Sequence, residues 1–280
     1  MVKAMIVGAS GQLGQELQKL LDELKWDYTA LTSTDLDITD RMAVSEKVQA
    51  LKPAVILDAA AYTAVDKAED EGKALNWKVN VDGTKNLAEV AQANDVELVY
   101  ISTDYVFDGT NEGVYLEDDP ANPKNEYGRA KWAGEQAVRM SGAKAYIVRT
   151  SWVFGEFGNN FVYTMQNLAK THPVLTVVND QVGRPTWTRT LAEFMMHLLD
   201  IKAPFGTYQL SNDGTATWYD FACEILKDTD VDVKPVTSAE FPQKAYRPRH
   251  SIMSLDKAKG TGFVIPSWQD ALAAFLESIR

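Results

Sequence analysis

Met5-Ile6-Val7-Gly8-Ala9-Ser10-Gly11-Gln12-Leu13-Gly14 begins as an apolar run, passes through glycines spaced G-x-x-G-x-x-G, and continues into Leu17, Leu20, Leu21 and Leu24 at helical spacing. A strand, a tight turn and a helix joined in this way form the first unit of a dinucleotide-binding sheet. Gly8 permits the turn, Gly11 lets a pyrophosphate approach the N–H groups at the helix start, and Gly14 lets helix and strand pack closely. The turn therefore supplies a candidate cofactor set of Gly8, Ser10, Gly11, Gln12, Leu13 and Gly14.

Outward from this unit, short apolar runs alternate with longer segments of helical period, the pattern of successive β-α units and a parallel sheet. Strands are expected at 2–7, 27–32, 54–59, 97–102 and 145–150, and helices at 12–24, 40–51, 74–93 and 127–141. Beyond about residue 151 the alternation weakens. Helices are expected there at 160–170, 188–200, 217–228 and 267–279, with short strands at 174–178 and 207–211. The fold class is α/β: a Rossmann-type doubly wound parallel sheet with a smaller C-terminal α/β substrate lobe. Residues 1–152, joined by helix 188–203, are assigned to the nucleotide-binding body, and 153–280 mainly to the lobe.

Bulk composition narrows the function. A formal net charge of −11 disfavours nucleic acid as a partner, although a local arginine pocket can still take an anionic small molecule. No apolar run reaches the length of a membrane span, and glycine interrupts the N-terminal apolar stretch too early for a secretory signal, so a cytoplasmic protein is expected. Cys223 is the single cysteine, which excludes an internal disulfide, and it reads as core filling. His172, His197 and His250 lack metal-ligand spacing.

The chemistry is expected at the ends of the strands. Ser102-Thr103-Asp104-Tyr105 begins where a parallel strand should end, the place where open α/β sheets put their ligands. Tyr127 and Lys131 stand four apart, one turn along a helix face. A lysine cation beside a phenol favours the phenolate, bringing it toward the working pH for proton transfer, and Thr103 can hydrogen-bond the same reacting oxygen. The candidate catalytic set is Thr103, Tyr127 and Lys131, the latter two also reaching the cofactor. Asp37-Ile38 is expected to line the adenine, and Ala59-Ala60-Ala61-Tyr62 to let the backbone pass close to a flat cofactor. Thr32-Ser33-Thr34 occupies the place where a ribose-binding carboxylate is usual, and Asp35 comes slightly late, so NADH and NADPH both remain open.

With these residues in view, the chain resembles the dTDP-4-dehydrorhamnose reductases, a branch of the extended short-chain dehydrogenases/reductases. The likeness runs over nearly the whole chain. Its specific parts are Gly8 to Gly14, Tyr62 to Glu69, Asn80-Val81-Gly83-Thr84, Ser102 to Gly109, Tyr127 to Lys131, Arg149 to Gly155 and Asp180 to Thr186. The resemblance implies hydride transfer from NADPH or NADH to a dTDP-linked 4-keto sugar, in a monomer or homodimer. It places Tyr105 near the sugar, Trp152 over it, and Asn160 and Arg247 toward the diphosphate. Some members hold magnesium with glutamates at a dimer interface. Glu16 matches one such position, but Arg189 stands in the region of a second, so no metal is expected and Glu16 reads as a surface or first-turn charge. An epimerase or dehydratase on the same scaffold is the nearest rival, and a dehydratase is disfavoured because Thr103 is followed by Asp104-Tyr105 rather than by an Asp-Glu pair. A non-catalytic NADP-binding regulatory subunit of methionine adenosyltransferase is the other alternative.

Overall fold

Short apolar runs become the strands of one parallel sheet in the computed structural model, which describes residues 4–280: β1 (Ala4–Val7), β2 (Tyr28–Leu31), β3 (Val55–Asp58), β4 (Glu97–Thr103) and β5 (Ala145–Thr150). Every residue of β1, β3 and β5 is buried, as required of strands covered on both faces. The intervening helices are α1 (Gln12–Glu23), α2 (Arg41–Leu51), α3 (Lys73–Trp77), α4 (Thr84–Ala93) and α5 (Glu126–Ser141). Residues 2 and 3 of the first expected strand lie outside the described residues.

The remaining elements are β6 (Val153–Phe154), α6 (Phe161–Ala169), β7 (Val174–Val178), β8 (Val182–Gly183), β9 (Thr186–Trp187), α7 (Thr188–Asp200), β10 (Gly206–Gln209), β11 (Ala216–Thr217), α8 (Trp218–Ile225), β12 (Asp232–Val236), α9 (Asp256–Gly260) and α10 (Trp268–Ser278). The main sheet runs β10-β5-β4-β3-β1-β2. The strand expected at 207–211 thus joins the large sheet, with Thr207 opposite Ile147, and does not belong to the lobe. Its Tyr208 and the following Leu210 fill the same apolar cluster as Tyr146 and Val148, so burial draws it there.

α1 and α7 cover one face of the sheet, while α2, α4 and α5 cover the other. On α1, Leu17, Leu20 and Leu21 are almost wholly buried, each contributing about 1.5–3 kcal/mol. The lobe has its own core, in which Phe154 meets Phe221 and Phe275 and α6, α8 and α10 converge. The helix expected at 74–93 is present without interruption from Lys73 to Ala93, but it is widened in the middle. Between α3 and α4, residues Lys78–Gly83 form a π-helical stretch, and a side chain at Gly83 would meet Ile38 at 2.6 Å.

One ion pair clamps β4, α5 and β5 together. Arg149 donates through Nε and Nη2 to the two oxygens of Glu135, at 2.9 and 2.8 Å, and Ser102 Oγ donates to the same carboxylate at 2.6 Å. Burial by itself would raise the Glu135 pKa, but the bonds and charge of Arg149 outweigh it and leave the carboxyl below its ordinary value. Replacing Arg149 alone by methionine leaves the buried carboxylate with only Ser102 and the more exposed Arg139, and is expected to cost about 3–5 kcal/mol in denaturant unfolding. Glu135→Met with Arg149→Met should cost distinctly less; equal losses would show that the pair itself supplies the stability.

Candidate active site

The chain turns from β1 to β2 on one side and to β3 on the other, which opens a crevice beyond the ends of β1 and β3. The glycine turn fills its base. Gly8 has φ +77°, and Gly14 packs so closely that a Cβ there would stand 2.2 Å from the Gly8 carbonyl oxygen. Gly14 thus lies behind the crevice, where its role is packing.

Two adjoining cavities share Ser10, Gly11 and Ala59 to Ala61. The first, about 280 Å³, is walled by Gly8, Ser33, Asp37, Ile38 and Tyr62 as well. Asp37 accepts from Thr39 N and Oγ1 at 2.9 and 2.7 Å, and these bonds hold its carboxyl below the usual range. Asp35 is turned back onto Thr32, accepting from its N–H at 2.9 Å, and does not line the cavity.

The second cavity, about 720 Å³, gathers Gln12, Leu13, Thr103, Tyr105, Tyr127, Lys131 and Trp152 from the expected set. Thr103 ends β4, and Asn125 caps α5 by accepting from Gly128 N at 2.6 Å, which fixes the turn that carries Tyr127. Lys131 is buried with its ammonium 4.1 Å from the centre of the Tyr100 ring. Burial pulls its pKa down to about 8, against the opposing charges of Asp58 and Glu135. The Tyr127 phenol is raised above its ordinary value by burial and then by Asp104, with the Thr103 hydroxyl acting the other way. Burial and Asp104 thus prevail over the lowering of this phenol expected from Lys131.

Trp152 has φ +47°, a conformation that costs a bulky side chain energy, and its indole stacks on Trp218 with ring centres 3.7 Å apart. Gly183 makes room for it, since a Cβ there would stand 2.7 Å from the indole. Two of the expected substrate residues stand at the margin of this cavity and already have partners. Asn160 does not line the cavity; it caps α6 and spends its amide on Gly155 O at 2.8 Å and Gln12 Oε1 at 3.2 Å. Arg247 sits beside the Tyr105 ring at 5.9 Å and is already paired with Asp66 at 2.9 Å.

Glu16 is corrected as well. It is buried, accepts from Thr188 Oγ1 at 3.0 Å and lies 3.8 Å from Arg189, which also pairs with Glu23 and Glu193. Leucine-rich packing of α1 on α7 carries this carboxyl inside, and burial raises its pKa.

Three side chains had no role assigned from the sequence. Trp218 comes from the distant start of α8. Asp58 ends β3 almost fully buried, with Oδ1 on Ala60 N at 3.1 Å and Oδ2 unpartnered. Asn80 clamps the backbone of Tyr62 through both its oxygen and its nitrogen, at 3.1 and 3.0 Å, and also donates to Asn76, which donates to Glu126 O.

A family model described as the RmlD substrate binding domain matches residues 2–280. The chain belongs to this family. It is 39% identical over 287 residues to a dTDP-4-dehydrorhamnose reductase of Aggregatibacter actinomycetemcomitans, covering 97% of each chain. Among solved structures, the dTDP-4-dehydrorhamnose reductase of Bacillus anthracis in complex with NADP superposes with a TM-score of 0.95 at 40% identity, covering 99% of this chain and 100% of that one. A Clostridium acetobutylicum relative described as a dTDP-4-dehydrorhamnose reductase gives 0.96 at 43% identity, covering 99% of both.

Burial pushes Asp58 up to about 6 from 3.8, against the charge of Lys131 and the Ala60 N–H. The folded state therefore holds the proton over a range where the unfolded chain has lost it, and stability falls as pH rises through that window. Asp58→Asn removes this dependence, so its thermal midpoint should gain on the wild type between pH of about 4 and about 6; parallel curves would contradict the burial argument.

Proposed function

We propose that this chain reduces the 4-keto group of dTDP-4-dehydro-L-rhamnose to dTDP-L-rhamnose with NADPH or NADH, a step that serves cell-surface polysaccharide synthesis. The observation that carries the reading is the meeting of Thr103, Tyr127 and Lys131 in one cavity that runs into the glycine turn. Family membership at this identity supports it.

The residues fit a dinucleotide. Gly8, Ser10 and Gly11 present a backbone cradle at a helix start, Ile38 and Ala59 to Tyr62 give a narrow apolar wall, and no carboxylate from Asp35 opposes a 2′-phosphate there. When bound, the reduced nicotinamide supplies the hydride. The work of the chain is to hold the ketone and handle the proton. Tyr127, kept protonated at neutral pH by its raised pKa, gives its proton to the carbonyl oxygen as negative charge grows there. Thr103 hydrogen-bonds that oxygen, and Lys131 holds the nicotinamide ribose. The Trp152–Trp218 stack forms an aromatic floor for the sugar beside Tyr105, and Arg247 offers its fork to the diphosphate in exchange for Asp66. Asn160 serves the site indirectly by holding Gln12. The reaction belongs in the cytoplasm, in a monomer or homodimer with neither membrane nor nucleic acid; among the described residues no helix is long and apolar enough to cross a membrane.

Purified protein given dTDP-4-dehydro-L-rhamnose should oxidise NADPH or NADH, followed by the loss of reduced-nicotinamide absorbance. Tyr127→Phe should lower turnover by about 10²-fold or more while cofactor binding persists. Lys131→Ala should damage both turnover and cofactor affinity. Near-normal turnover in Tyr127→Phe would remove the phenol from the mechanism, and cofactor binding without oxidation would overturn the substrate.

A further inference from the structure

Thr103 Oγ1 has one proton and two lone pairs, and its surroundings account for most of them. The backbone N–H of Tyr105 donates to it at 3.2 Å, Asp104 Oδ1 lies 3.1 Å away, and the Tyr127 hydroxyl, which a bound ketone would engage instead, is within hydrogen-bonding reach. Asp104 is 2% exposed. The Ser251 hydroxyl and the backbone N–H groups of Asp104 and Tyr105 also act on its carboxyl, yet Oδ2 has no hydrogen-bond partner. If Asp104 is a carboxylate, the Thr103 proton must point at it, and nothing remains to donate to a ketone. If Asp104 carries a proton, it fills the second lone pair of Oγ1 and the Thr103 proton is free.

We propose that Asp104 is a positioning residue that works as the neutral acid, donating to Thr103 Oγ1 so that the Thr103 hydroxyl donates to the carbonyl oxygen. The inference rests on the proposed ketone reduction and deepens it. Charge argues the same way as geometry, because a carboxylate here would oppose the negative charge that grows on that oxygen; Asp104 already acts on Tyr127 in this sense. Burial, only partly offset by Ser251, Thr103 and the backbone N–H groups of Asp104 and Tyr105, pushes its pKa up to about 6. The groups facing this carboxyl from the surrounding elements are Tyr127 on α5, Thr103 and Tyr105 on the same turn, and Ser251 on the opposite segment; Arg247 and Asp66 act on Tyr105.

The test compares wild type, Asp104→Asn and Asp104→Ala across pH. Asparagine presents a permanent N–H donor, so Asp104→Asn should keep kcat within about threefold of the wild-type value on the acid side and lose the fall that the wild type shows as pH rises through the titration of Asp104. Asp104→Ala should lose about tenfold or more in kcat with unchanged NADPH affinity. If Asp104→Asn is as impaired as Asp104→Ala, or if its pH profile matches the wild type, the proposal fails. Infrared difference spectra of the NADPH-bound wild type against Asp104→Asn supply a readout free of the sugar. A protonated-carboxyl band on the acid side supports the neutral acid, and its absence overturns it. Should the wild type leave this sugar unreduced, the substrate reading falls while the infrared band still decides the protonation of Asp104.

Discussion

The buried carboxylate of Glu135 is the constraint on which the active site depends. It stands on α5 one turn beyond Lys131, and it is held by Ser102, the residue before Thr103, and by Arg149 on the next strand. A charge in so dry a place has to find its partners, and the only arrangement that provides them sets the face of α5 carrying Tyr127 and Lys131 against the end of β4. Hydrophobic packing tolerates small slides of a helix over a sheet, whereas a carboxylate bonded by three donors from two strands and its own helix does not. The register of the site is thus fixed by polar bonds, within a body whose stability comes from leucine, valine and alanine packing.

The same economy operates around the cofactor loop. Residues 59–63 have no regular structure, and their backbone groups must be paired from elsewhere. Asn80 does this for Tyr62, from a helix that has been widened into a π-turn to bring it within reach, and Asn76 passes the connection on to the first turn of α5. Wall and catalytic helix are parts of one bonded network.

What was legible in the sequence was whatever local spacing encodes. The glycine turn, the strand-end hydroxyl and the Tyr127-Lys131 pair all lie within one or two turns of chain, and the structure brings them into one connected crevice. Partners brought together by folding were not legible. Trp218 meets Trp152 across a long stretch of chain, Arg149 meets Glu135 between elements, and Asn160 turned out to be a helix cap because capping and ligand binding call on the same side chain. Glu16 misled for a related reason: helical spacing places it beside Leu13 and Leu17, but only the arrival of α7 decides that this edge of the helix is covered.

β10 has a further meaning for how such a molecule can be altered. The chain leaves the large sheet after β5, builds part of the lobe, returns for α7 and β10, leaves again for α8 and β12, and comes back once more with α9 before ending in the lobe at α10. The two bodies are interlaced in sequence though separate in space. The lobe is therefore no cassette: exchanging it for a relative's to change the sugar would require several splice points, one at each passage of the chain between the two cores.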